Sequence, residues 1–369
     1  MRIKKLYIEN YKMFKDFTID FTDLEGNPLP IVILAGVNGS GKTTLLETLY
    51  NNSFFNQEKI IYDISNKIID ICIYQDYDNY INNLSDSDLN KEMNKKQISL
   101  RDDSIIYFPS GIDDTQKVAD EFVKTFYFFL KEEDYRPSEI TEYFNNYMRD
   151  IFNGLDLSFR YSHLDKNDKL WFSNGKNKEY YYTSNSKDKN VFTIDELSTG
   201  EQTLLSKVLY LAFKDHKNKI ILIDEPELSL HPSWQNKVLK IYENFAKNSN
   251  CQIIIATHSP HIIGSAKPEY IRVLKKVDDK IEVAQYNQSY GLEFSQILTN
   301  IMGVDYLRTP AVAKDIRKLW ELLEDENYES GEYKELYQKL EELLGDLDKD
   351  MVLSRLEIAR IKSRNAKSK

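Results

Sequence analysis

Apolar and polar residues alternate over the first 22 positions. Ile3, Leu6 and Ile8, then Phe14, Phe17, Ile19 and Phe21, read as two half-buried strands joined at Asn10-Tyr11-Lys12. The turn Glu25-Gly26-Asn27-Pro28 follows, and then the wholly apolar run Ile31-Val32-Ile33-Leu34-Ala35, the pattern of a strand buried on both faces. A glycine-rich loop leads into a helix from about Lys42 to Tyr50. Residues 75–98 are polar and read as a loop or mobile insertion. Ser104–Phe108 reads as a short strand stopped by Pro109. Helical periodicity runs from 115 to 153 and breaks near Arg136-Pro137. Short strands with turns at Asn167-Asp168, Asn174-Gly175 and Asn185–Asp188 are expected over 156–194. Ile220–Ile223 and Gln252–Ala256 are two further apolar strands, each followed by a helix or turn. Strands that alternate with helices and lack polar alternation predict a parallel sheet covered on both faces. In the tail, Val312, Ile316, Leu319 and Leu323, then Tyr333, Leu336, Leu340 and Leu344, then Val352, Leu356 and Ala359 fall at helical spacing. They predict a helical appendage with a basic, solvated end.

Composition narrows the function. In 369 residues, 49 Lys+Arg against 59 Asp+Glu give a net charge of −10, which argues against a general nucleic-acid binder and leaves any DNA contact local. Only two cysteines are present, Cys72 and Cys251, so a disulfide scaffold is excluded and a reducing compartment is expected. The start, Met1-Arg2-Ile3-Lys4-Lys5-Leu6, lacks the apolar core of a signal peptide, and no apolar run approaches the ~18 residues that span a bilayer. A soluble, cytoplasmic protein without a membrane partner is expected.

The chemistry concentrates in two places. Gly36-Val37-Asn38-Gly39-Ser40-Gly41-Lys42-Thr43 fits G-x-x-x-x-G-K-[ST] between a buried strand and a helix, the context that identifies a P-loop. Its glycines let successive N–H groups face phosphate oxygens, and the helix N-terminus at Lys42-Thr43-Thr44 adds positive potential. Lys42 is expected on the β- and γ-phosphates of ATP, and Thr43 on Mg²⁺. Ile220-Ile221-Leu222-Ile223-Asp224-Glu225 then places two carboxylates at a central strand end. Asp224 is expected to hold the magnesium through water, and Glu225 to activate the attacking water as general base.

Leu197-Ser198-Thr199-Gly200-Glu201-Gln202 before a helix and Thr257-His258-Ser259-Pro260 after a strand complete the set. Together with Ile8-Glu9-Asn10-Tyr11-Lys12-Met13-Phe14 and Asp224-Glu225-Pro226-Glu227-Leu228-Ser229-Leu230-His231-Pro232, the chain resembles an ATP-binding-cassette ATPase of the SMC and RecF type. The resemblance implies an α/β fold. Its ATPase head would be a P-loop NTPase with a mainly parallel sheet and N-terminal antiparallel strands, carrying an inserted helical lobe and a C-terminal helical appendage. The head would occupy 1–290, with the polar insertion and helical lobe inside 51–195, and the helical region 291–369. It further implies that Ser198, Gly200 and Glu201 grip ATP bound to a second subunit, that Glu227 to His231 form the D-loop across the same interface, that His258 is the switch histidine, and that Lys12 reaches the nucleotide. The active unit is then a head-to-tail homodimer around two ATPs.

Two features depart from that pattern. The strand ending Tyr107-Phe108-Pro109-Ser110-Gly111 carries no glutamine at the Q-loop position; Gln116 and Gln75 lie elsewhere, so that residue is unassigned. The ~150 residues between P-loop and signature show no sustained heptads, so a compact lobe replaces a coiled-coil arm. Tyr290-Gly291, Ile297-Leu298 and Met302-Gly303 followed by a helical pair resemble small stand-alone ATPases of bacterial anti-phage defence, of the Septu and retron-associated kinds. That resemblance implies a switch controlling a separate effector such as a nuclease. The alternative it leaves is an ATP-gated DNA clamp of the RecF kind. The chain has no Cys/His metal spacing and no G-x-S-x-G, and Asp86-x-Asp88 sits in a polar loop, so the chain itself is not expected to be a nuclease.

Overall fold

The computed structural model describes residues 2–52, 69–74, 105–108, 115–155, 159–174, 191–212, 218–304 and 307–367. The polar stretch 75–98 with Gln75, Asp86 and Asp88, the segment Pro109–Gly111 and the turn at 185–188 lie outside the described residues, as does the side chain of Gln116. The described chain divides into two compact units, Met1–Ile297 and Leu298–Lys369. Among the described residues no helix is long and apolar enough to cross a membrane.

The N-terminal alternation forms β1 (Arg2–Tyr11) and β2 (Phe14–Asp20), an antiparallel pair in which Leu6 faces Ile19 and Ile8 faces Phe17. The polar joint lies at Lys12-Met13, with Lys12 at φ 53°. Ile3, Leu6, Ile8, Phe14, Phe17 and Ile19 are all buried. β3 (Ile31–Ala35) is buried at every residue and delivers the glycine loop to α1 (Lys42–Asn52). β4 (Ile69–Tyr74) pairs antiparallel with the other edge of β1, and β5 (Ile105–Phe108) joins the main sheet.

Two helices and a small sheet build the inserted lobe. α2 (Thr115–Lys131) and α3 (Pro137–Ile151) are separated where Pro137 starts a new helix; the Arg136 amide donates to Glu139 Oε2 at 2.7 Å and closes that start. Ile140, Phe144, Met148 and Ile151 form the buried stripe of α3. The Phe144 ring lies 4.4 Å from Phe122 of α2, which meets Tyr161 at 5.0 Å. Tyr161 belongs to β6 (Phe159–Leu164), which with β7 (Leu170–Asn174) and β8 (Val191–Thr193) makes an antiparallel sheet in the order β6-β7-β8.

The remaining head elements return to the main sheet. They are α4 (Thr199–Ala212), β9 (Ile220–Asp224), α5 (Pro232–Ser249), β10 (Gln252–Ala256), α6 (Pro260–Ser265), β11 (Ile271–Val277) and β12 (Lys280–Ala284). The sheet order is β12-β11-β3-β10-β9-β5, parallel throughout except for β12 at one edge. β3, β9 and β10 are apolar on both faces because helices cover both. In register, Ala256 lies between Asp224 and Leu34, so the carboxyl ends of the three central strands open on one spot. The fully buried Gln252 locks the two sheets together. Its amide donates to the carbonyls of Ile3 and Leu29, both at 3.0 Å, and accepts from the Ile3 amide at 2.6 Å.

The C-terminal unit is helical, as its periodicity predicts. α7 (Pro310–Glu324), α8 (Gly331–Leu344) and α9 (Lys349–Lys367) enclose a core of Ile316, Leu319, Leu323, Tyr333, Leu340 and Met351. Ser330 caps α8, and Arg308 pairs with Asp348 and Asp350 at 2.8 Å each.

Candidate nucleotide site

The loop after β3 takes a shape that only glycine allows. Gly36 has φ 142°, and a Cβ there would stand 2.4 Å from the Leu274 carbonyl of β11 and 2.8 Å from Ser40 Oγ. A Cβ on Gly41 would stand 2.6 Å from Met13 Sδ, so the β1–β2 turn lies against the loop. Val37, Asn38 and Gly39 form its exposed crest, Ser40 and Lys42 are buried, Thr43 is exposed and Thr44 is half-buried.

Lys42 folds back into this loop. Its Nζ donates to the carbonyls of Gly36 at 2.8 Å and Val37 at 3.1 Å, and lies 3.4 Å from both Ser40 Oγ and His258 Nδ1. Burial lowers its ammonium to about 8, although Glu225, Asp224 and Glu227 pull the other way. A cation held by carbonyl dipoles in a glycine cradle is placed to take anionic oxygens instead.

Asp224, the last residue of β9, accepts from Thr43 Oγ1 at 3.1 and 3.0 Å through its two oxygens. Burial raises its carboxyl, opposed by the Thr43 bond. These are hard oxygen donors at the mouth of the glycine loop. Among the described residues no group of three or more His, Cys, Asp or Glu could hold a metal by itself. Two oxygen ligands beside a phosphate site fit Mg²⁺, which keeps waters and shares its coordination with substrate phosphates.

Glu225 leaves the strand at φ 47°, its amide donating to the Ala256 carbonyl at 2.8 Å. This backbone state costs a non-glycine residue roughly 1–2 kcal/mol and swings the side chain out of the strand line. Its Oε1 then lies 3.5 Å from His258 Nε2, both groups partly open to solvent. His258 therefore sits between Lys42 and Glu225. Burial, and then the Lys42 charge, lower its pKa, against the pull of Glu225.

Glu227 and Tyr107 border the cluster. Glu227 turns inward, and its Oε1 accepts from Thr257 Oγ1 and from the His258 amide, both at 2.7 Å. Burial raises its carboxyl. Of the Glu227–His231 segment, Leu228, Ser229 and His231 are exposed while Leu230 is buried. Tyr107 of β5 is pushed up to about 12, first by burial and then by the charges of Asp224 and Glu47. The resemblance singles out Glu227 only as the first D-loop residue; nothing in the sequence shows that it points inward.

The remaining expected residues lie as follows. Ser198 Oγ donates to Glu201 Oε2 at 2.6 Å and its amide to the same oxygen at 3.1 Å, at the start of α4. Gly200 faces the Trp234 ring, 3.4 Å from where a Cβ would stand. Lys12 lies 3.8 Å from Glu47 of α1 and over the Tyr11 ring. The structure thus brings the P-loop, Asp224, Glu225 and His258 into one cluster, with Ser198, Gly200 and Glu201 gathered at the start of α4.

The family described as "AAA domain, putative AbiEii toxin, Type IV TA system" matches residues 73–264, more than half of the chain. The chain is 29% identical to the Septu protein PtuA of Bacillus thuringiensis over 218 residues, 57% of this chain and 54% of that protein. It is 30% identical to the retron Ec83 probable ATPase of Escherichia coli over 189 residues, 47% of this chain and 34% of that one. The matches thus span about half or less of the curated relatives' length. Among solved structures, the SMC head domain from Thermotoga maritima is similar with a TM-score of 0.45 at 14% identity, covering 78% of this chain and 99% of that one.

Proposed function

Because this chain belongs to the AAA-domain family described as putative AbiEii toxin, Type IV TA system, we propose that it is an ATP-hydrolysing switch. It dimerises head to tail around ATP and controls a separate effector protein, a nuclease, in anti-phage defence. The observation that carries this reading is the convergence of Lys42, Thr43, Asp224, Glu225 and His258 at the ends of three parallel strands. Similarity to the Septu protein PtuA and the retron probable ATPase supports the defence setting.

In this reading the loop amides from Gly36 to Thr44 receive the phosphates, and Lys42 exchanges the Gly36 and Val37 carbonyls for β- and γ-phosphate oxygens. Thr43 and Asp224 would hold Mg²⁺, which supplies charge neutralisation on the phosphates. Glu225 orients a water in line with the γ-phosphorus and takes its proton. His258, poised between Lys42 and Glu225, faces the γ-phosphate and reports its loss. Ser198, Gly200 and Glu201 contact the nucleotide of the other subunit, and Lys12 contributes from the β1–β2 turn. The site faces solvent on one side, and the dimer closes it; hydrolysis opens it.

The test is a pull-down of Glu225→Gln protein from its native host with Mg-ATP, with and without nuclease digestion, read by mass spectrometry. A stoichiometric nuclease or toxin-like protein supports the switch. Recovery of DNA alone, lost with Lys42→Ala, replaces it with an ATP-gated DNA clamp.

A further inference from the structure

Glu227 has no part in the chemistry above, yet it is a buried carboxylate in the middle of it. Burying a charge is costly unless the fold needs its bonds. Its Oε1 makes two short bonds, to Thr257 Oγ1 and to the amide of His258 itself. Its Oε2 is buried with no hydrogen-bond partner among the described residues.

The His258 ring meets Lys42 Nζ at 3.4 Å, Glu225 Oε1 at 3.5 Å and the backbone of Gly36. The 2.7 Å bond from its amide to Glu227 holds the backbone that carries the ring, together with the Thr257 amide bond to the Leu34 carbonyl at 3.0 Å. Glu227 lies on the turn Pro226–Leu230, which is gripped from two other elements. Lys207 of α4 donates to the carbonyls of Pro226 at 2.8 Å and Leu228 at 3.4 Å. Gln235 of α5 donates to the Leu230 carbonyl at 2.9 Å and accepts from Ser259 Oγ at 2.6 Å. The exposed tip at Leu228-Ser229 is thus tied to the helix that follows Ser198 and to the strand end that carries His258.

We propose that Glu227 is a positioning residue: by clamping Thr257 and the His258 amide it sets the imidazole between Lys42 and Glu225. The inference rests on the proposed ATP hydrolysis.

The experiment is steady-state ATPase kinetics of Glu227→Ala, Glu227→Gln and Glu227→Asp, with thermal melts and nucleotide affinity measured on each. Removing the acceptor lowers kcat on the order of 10- to 100-fold, the loss of charged hydrogen bonds expressed in the transition state, with ATP affinity held within about threefold. Glu227→Gln keeps an oxygen that accepts both bonds and restores most of the rate. Glu227→Asp keeps the charge but falls a methylene short, and it loses rate; it carries the test if the alanine variant does not fold. In a His258→Ala background the alanine change costs less than about twofold, because both changes act on one group. Undiminished kcat in Glu227→Ala, or an equal loss with and without His258, overturns the proposal. Absence of hydrolysis by the wild-type protein overturns the functional reading instead.

Discussion

Gly36→Ala is expected to destabilise the head more than the same change three residues on. At Gly36 the new methyl meets two obstacles. The backbone sits at φ 142°, outside the range an L side chain prefers, and the Cβ would lie 2.4 Å from the Leu274 carbonyl. That carbonyl cannot retreat, because β11 is paired with β3 on one side and β12 on the other. Left-handed strain costs roughly 1–2 kcal/mol and forced overpacking about 1–3 more, so the total is about 2–5 kcal/mol. Gly39 has φ 77° but open space around its Cβ position, so Gly39→Ala carries only the strain, roughly 1–2 kcal/mol. Thermal melts of the two variants should fall by about 4–10 °C and 2–4 °C respectively, at roughly 2 °C per kcal/mol for a head this large. Equal melting temperatures for the two would refute the claim that the β11 carbonyl, and not backbone angle alone, demands glycine at 36.

Other outcomes follow from the same contacts. Gln252→Leu strands the Ile3 amide and the carbonyls of Ile3 and Leu29 inside the protein; urea unfolding should show a loss of about 3 kcal/mol or more, and a loss below 1 would mean the two sheets are held otherwise. Lys42, lowered by burial to about 8 against 10.5 unfolded, is less protonated in the folded chain between those values. The unfolded chain then binds more protons, so this group's contribution to stability rises as pH climbs from 8 to 10.5. Phosphate binding favours the charged form, so titrating nucleotide at pH 8 in two buffers of different ionisation enthalpy should reveal uptake of about half a proton; no uptake would contradict a buried, partly neutral Lys42.

Much of this was legible in the sequence, and for a physical reason. Strands buried on both faces are almost wholly apolar, so Ile31–Ala35, Ile220–Ile223 and Ile253–Ala256 announce the parallel sheet. A P-loop needs glycine at fixed spacing, so its location is written in the chain as well. The placement of β11 and β12 beyond β3 was not legible, because strand order depends on tertiary pairing. The polar Gln252 inside an apolar strand reads as a boundary, yet it is the buried amide that joins the two sheets. The resemblance puts Glu227 at the start of a D-loop facing a second subunit, and only its inward turn reveals its bonds to Thr257 and His258.

The central claim is that Glu225 activates water on an ATP held by Lys42. Phosphate release from Mg-ATP, measured for wild-type and Glu225→Gln protein alongside light scattering, tests it most directly. The account predicts turnover by the wild type, and for Glu225→Gln a rate lower by about 100-fold or more with ATP still bound and the protein accumulating as a dimer. Wild-type turnover by Glu225→Gln, or no ATP binding by the wild-type chain, would contradict it.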